Sequence, residues 1–173
     1  MITPQKKFSS KEYQKNIKAF ESLQKHFHFL YPQLRPEDYS VDVAIYNGER
    51  AYQKGSSPLC YLEIESKSNW RKKDFPAHFP DVQFLAKKQR FLQLDIPTYW
   101  VLFNDDCSNA GIINLRKIPS YELDVVYCKP ASIGYDFFYR IPRKEMTWGI
   151  ENLERFLIQE AFQTLQHIHD ISS

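Results

Sequence analysis

Cysteine and glycine are scarce in this 173-residue chain, and no apolar run is long enough to span a bilayer. Three cysteines, Cys60, Cys107 and Cys128, are too few and too scattered for a disulfide framework or a zinc cluster, and they read as reduced thiols of an intracellular protein. Of the five glycines, none has the spacing of a phosphate-cradling loop. The first residues, MITPQKKFSSKEYQKN, are polar and do not read as a signal peptide, so a cytoplasmic location without membrane contact is expected. The net charge is only +2, and any contact with nucleic acid has to come from a local patch. Ser-His-Asp catalysis has no local signature. His26 and His28, like His167 and His169, are two apart; on a helix that spacing splays them, which suits surface histidines better than zinc ligands.

What the chain does have is apolar bulk. Hydrophobic residues make up 43% and aromatics 16%, with 13 Phe and 11 Tyr, ample for a packed globule. The length fits one domain, residues 1–173, with one full core.

The spacing predicts a helix from Ser9 or Ser10, where Ser9 and Glu12 have capping-box spacing. Tyr13, Ile17, Phe20, Leu23, Phe27 and Leu30 recur at steps of three or four, and Pro32 and Pro36 end the pattern. Strands are expected at 41–46 and 59–66, joined through the Asn47-Gly48 turn and a polar loop to Pro58. A second helix is expected from about Asp81 to Leu94, with Phe84, Leu85, Phe91 and Leu92 facing inward. The run 97–103, PTYWVLF, reads as a strand buried on both faces, and Asn104, Asp105 and Asp106 as the turn that closes it. Shorter strands are expected at 110–115, 122–128 and 136–141, and a last helix over 150–169. The fold class is therefore α/β (α+β), a mixed central sheet flanked by helices.

The chemistry concentrates on the first two strands. Side chains two apart on a strand share a face, so Glu63, Glu65 and Lys67 point one way while Leu62 and Ile64 point to a core. Alternating charges are common on a solvated strand face. Here, however, Asp42 interrupts the neighbouring strand, the cations Arg71, Lys72 and Lys73 follow directly, and Lys88 and Gln89 fall on or beside the inward stripe of the expected helix. A lysine there can snorkel out to solvent. A cleft lined by Asp42, Glu65, Lys67, Lys88 and Gln89 would satisfy these groups mutually.

In this order the residues resemble the PD-(D/E)XK nuclease superfamily, with its restriction-endonuclease-like αβββαβ core: an acid on one strand (Asp42), then acid, any residue and lysine on the next (Glu65-Ser66-Lys67). The resemblance covers roughly residues 9–104, and later strands and the terminal helix would be elaboration. Val41 stands where many members have proline. Glu63 permits a second alignment, Glu63-Ile64-Glu65, with an acid at the lysine position. The resemblance implies Mg2+ (or Mn2+) held by Asp42, Glu65 and the Ser66 carbonyl, with Glu63 as a further ligand or a supporting group. It implies Lys67 as electrostatic stabiliser and Lys88 or Gln89 as the polar residue of the following helix. The expected activity is hydrolysis of phosphodiester bonds, with DNA favoured and endonucleolytic cutting. Arg71, Lys72, Lys73, Lys87, Lys88, Arg90 and His78 form the expected phosphate-facing rim, and Trp70, Phe75 and Phe79 interleave with it as bases' stacking partners. With one site per domain, cutting both strands takes a homodimer or sequential nicking. A rival reading is a binding module that holds nucleic acid or protein on the same fold without cutting.

Overall fold

A strand with no polar face belongs in the middle of a sheet covered on both sides. In the computed structural model, which describes residues 10–35, 41–127 and 134–171, all seven residues of Thr98–Asn104 are buried. The elements run α1 (Ser10–His26), β1 (Tyr31–Leu34), β2 (Val43–Tyr46), α2 (Glu49–Gln53), β3 (Cys60–Lys67), β4 (Asp81–Leu85), a 3₁₀ helix (Ala86–Gln93) and β5 (Thr98–Asn104). Then come β6 (Ala110–Asn114), a second 3₁₀ helix (Leu115–Ser120), β7 (Glu122–Tyr127), β8 (Tyr135–Pro142), a 3₁₀ turn (Arg143–Glu145), β9 (Thr147–Trp148) and α3 (Ile150–Ile171). Six strands form a mixed sheet in the order β1-β2-β3-β5-β6-β9, in which β3 and β5 are parallel and the other pairs antiparallel. A second, antiparallel sheet has the order β4-β8-β7.

The large sheet separates two cores. On one face Val43, Ile45, Leu62, Ile64, Val101, Phe103 and Ile112 pack against Ala19 and Leu23 of α1, Phe27 just after it, and Leu153 and Leu157 of α3. On the other, Trp100, Leu102 and Ile113 pack with Trp70, Phe84, Phe91, Ile118 and Ile141. Because side chains alternate along β3, Leu62 and Ile64 enter the first core, and Glu63 and Glu65 are set beside Trp100 and Leu102 toward the second. At the far end of the β7–β8 hairpin the apolar ladder Val125, Tyr127, Tyr135 and Phe137 is exposed.

Four expectations are corrected. Residues 81–94 are not an α-helix: Asp81–Leu85 is a strand paired with β8, and Ala86–Gln93 is a 3₁₀ helix. Val82 and Phe84 alternate inward, a period of two that fits the strand, and β8 supplies the partner that makes it one. The first helix stops at His26 rather than Leu30, and Tyr31–Leu34 forms an edge strand where only a helix end was expected. Pro32 is tolerated there because an edge strand leaves one side of its backbone unpaired. The expected loop to Pro58 contains the short helix Glu49–Gln53. Trp70, expected to meet exposed bases, has no exposed surface and is part of the second core. Ser9, Cys128 and the side chains of Glu12, His167 and His169 lie outside the described residues. Among the described residues no helix is long and apolar enough to cross a membrane.

Candidate active site

β3 carries the acids to the middle of the sheet, and its parallel neighbour β5 buries one side of them. Glu63 is 7% exposed and Asp42 5%, so neither is a solvated surface charge. Asp42 stands just before β2, where Oδ2 accepts the amide of Ile64 at 2.9 Å and Oδ1 accepts from Asn16 Nδ2 at 3.3 Å. That amide belongs to the residue between Glu63 and Glu65, so the first acid is tied to the backbone that holds the other two. Lys67 Nζ lies 2.9 Å from Glu65 Oε1.

Lys88 arrives from the 3₁₀ helix. Its Nζ is 2.9 Å from Glu63 Oε1 and 3.6 Å from Glu65 Oε2, so one ammonium bridges both glutamates. Burial pulls the Lys88 pKa down, but the charges of Glu63, Glu65 and Asp42 and the hydrogen bond to Glu63 outweigh it and hold the pKa above the usual lysine value. Lys88 is therefore a fixed positive charge at neutral pH and not a base. Gln89 turns elsewhere and donates to the Tyr139 hydroxyl.

The structure thus gathers Asp42, Glu63, Glu65, Lys67 and Lys88, and Ser66 follows from its place between Glu65 and Lys67 on β3. The chemistry of the donors fits a hard divalent cation, since carboxylate and carbonyl oxygens are what Mg2+ and Mn2+ take. Among the described residues no three His, Cys, Asp or Glu groups stand close enough together to enclose an ion, and the ammonium groups of Lys67 and Lys88 hold the glutamate oxygens an ion would use. Asn16 was missed from sequence. It lies three, four and seven residues before Ala19, Phe20 and Leu23, and an amide on that apolar stripe was the available signal.

The cations of the rim are placed in two groups. Arg71, Lys72 and Lys73 are exposed, while their loop is pinned through its backbone: the Lys72 carbonyl accepts from Asn104 Nδ2 at 3.5 Å and the Lys73 carbonyl accepts from Asn109 Nδ2. Both asparagines are buried. Lys87 and Arg90 are exposed on the 3₁₀ helix, and the Arg90 guanidinium lies over the Phe91 ring. The turn after β5 is explained by its own hydrogen bonds, with Asp106 Oδ1 accepting the amide and hydroxyl of Ser108.

No protein-family model matches this sequence, and no curated protein is similar to it. The solved structure of a nuclease from a fusselovirus superposes on this chain with a TM-score of 0.49 and 16% identity, covering 89% of this chain and 93% of that one. A likeness of that size carries no argument about activity, which rests instead on the residues of the site.

Proposed function

We propose that the chain is one PD-(D/E)XK-like domain, a divalent-metal-dependent nuclease that hydrolyses DNA phosphodiester bonds by attack of water. The observation that carries the reading is the cluster of the buried acids Asp42 and Glu63 with the half-buried Glu65, in which Lys88 bridges the two glutamates and Lys67 pairs with Glu65. A solvated strand face has no need of such a cluster: burying a carboxylate is costly unless it is partnered, and here Lys88 meets Glu63 while Asp42 accepts from the Ile64 amide and the Asn16 side chain.

Mg2+ or Mn2+ held by Asp42, Glu65 and the Ser66 carbonyl, with Glu63 beside them, would polarise the scissile phosphate and lower the pKa of a bound water. Lys67 is positioned by Glu65 to stabilise the negative charge that develops on the phosphoryl oxygens. Lys88 bridges Glu63 and Glu65 and holds the two carboxylates on one face. Asn16 and the Ile64 amide orient the Asp42 carboxylate. Arg71, Lys72, Lys73, Lys87 and Arg90 hold the polyanion. Cutting both strands takes a homodimer or two successive nicks.

The test is cleavage of plasmid and single-stranded DNA with Mg2+, Mn2+ or chelator, on wild type, Asp42→Ala and Lys67→Ala. Each substitution is expected to lower the metal-dependent rate by about 10²–10³-fold or more. Unchanged cleavage in both variants overturns the reading. Binding of DNA without turnover in either metal would leave a nucleic-acid-binding module.

A further inference from the structure

Beside Lys67 lies a cleft of about 230 Å³ between the loop that follows β3 and the strand β4. Its aromatic lining is the half-buried Phe75 and Phe79, with the fully buried Trp70 beneath the surface beside Phe75. Phe75 is held in place by its neighbours, since it stacks on Trp148 at 4.9 Å and meets Trp70 edge-on at 5.4 Å. Trp148 in turn lies against Gly111, where a Cβ would come within 2.6 Å of its ring. The lining also carries polar side chains. Asp81 and Arg140 stand side by side at 3.0 Å, with Gln83 next along the same strand and paired in register with Arg140. Asn69 adds a second amide to the lining from the loop after β3.

Aromatic rings sharing one cleft with a fixed acceptor, a fixed donor fork and two amides suit a planar heteroaromatic ring with a hydrogen-bonding edge. The volume falls below the about 300–1,000 Å³ of pockets that bury a whole small-molecule ligand, so it suits a single ring system. Lys67 belongs both to this cleft and to the acidic cluster, so a nucleobase seated here would carry its phosphate toward the acids. We infer that the cleft seats one unpaired nucleobase of the strand being cut, which makes single-stranded, frayed or base-extruded DNA the preferred substrate. The inference rests on the phosphodiesterase reading of the neighbouring acids. A base within a duplex has both faces stacked and its edge paired, and it can enter only by leaving the helix.

The experiment measures binding in chelator, so that no turnover is needed. A fluorescently labelled 12-nucleotide strand and the same strand annealed to its complement are titrated by anisotropy with wild type, Phe79→Ala, Phe79→Tyr and Asp81→Asn. Base–aromatic stacking leads us to expect Phe79→Ala to weaken single-strand binding roughly fivefold or more, with duplex binding changed less than about twofold and Phe79→Tyr close to wild type. Asp81→Asn replaces an acceptor-only group by an amide of the same shape, and is expected to alter the ranking of dA, dC, dG and dT homopolymers. That measurement decides if Phe79→Ala does not fold. Equal single-strand affinity in wild type and Phe79→Ala, equal losses on single strand and duplex, or an unchanged homopolymer ranking in Asp81→Asn overturns the inference. The contrast without any metal-dependent cleavage sinks the nuclease reading and keeps the cleft; cleavage without the contrast does the reverse.

Discussion

The ammonium of Lys88 lies 2.9 Å from the Glu63 carboxylate, and this pair joins the 3₁₀ helix of the β3–β5 crossover to the buried middle of β3. Removing one partner strands the other charge. Lys88→Met is expected to cost about 3 kcal/mol, because a buried carboxylate is left uncompensated. Glu63→Gln combined with Lys88→Met is expected to cost clearly less than the sum of the single changes. Urea unfolding of the four proteins of the cycle measures this, and strict additivity would show that the pair is not coupled.

The same pair sets a pH dependence. The Lys88 pKa is raised in the folded protein, so its stabilising contribution is fully present below the ordinary lysine pKa of about 10.4 and is lost as pH rises through the higher folded value. Between pH 7 and 9 the difference in urea midpoint between wild type and Lys88→Met should stay constant. It should shrink only above about pH 10.4. A difference that shrinks between pH 6 and 9 would assign the effect to another group.

Arg71, Lys72 and Lys73 extend exposed side chains from a loop whose carbonyls are held by Asn104 and Asn109. Changing all three to alanine should therefore leave the unfolding midpoint nearly unchanged. If each meets a phosphate, the slope of log affinity for duplex DNA against log salt should fall in magnitude by about 2.7, at roughly 0.9 per contact. An unchanged slope would mean that the loop does not meet the backbone.

Glu154 accounts for a buried acid outside the site. Its Oε1 accepts the amides of His28, Phe29 and Leu30 at 2.8, 2.6 and 2.8 Å, fastening the turn between α1 and β1 to α3. Glu154→Ala leaves these donors without their acceptor and should cost about 3 kcal/mol in urea unfolding, with helix content retained. A loss below about 0.5 kcal/mol, the range of an ordinary surface substitution, would mean that water replaces the carboxylate without penalty.

Alternation along β3 was readable because it has a period of two and because Leu62 and Ile64 are apolar where Glu63 and Glu65 are not. The buried strand was equally plain, since an unbroken run of strand formers has one stable setting. Residues 81–94 were not. Phe84, Phe91 and Leu92 satisfy helical spacing, Val82 and Phe84 satisfy strand spacing, and only the pairing with β8, more than fifty residues on, decides between them. Lys88 reaches the acids from a 3₁₀ helix rather than an α-helix, while its neighbour Gln89 is drawn to Tyr139 of β8.

Local order therefore determined which residues could share a face: Glu63, Glu65 and Lys67 are set together by backbone geometry alone, whatever surrounds them. Tertiary structure decided what those residues meet. Asp42 bonds the Ile64 amide, Lys88 bridges Glu63 and Glu65, and Asp81 and Arg140 pair in the lining of the cleft, each across more than twenty residues of chain. The reason is physical: spacing specifies direction within an element, whereas contact between elements depends on which buried surfaces pack, and that is settled by the whole chain at once.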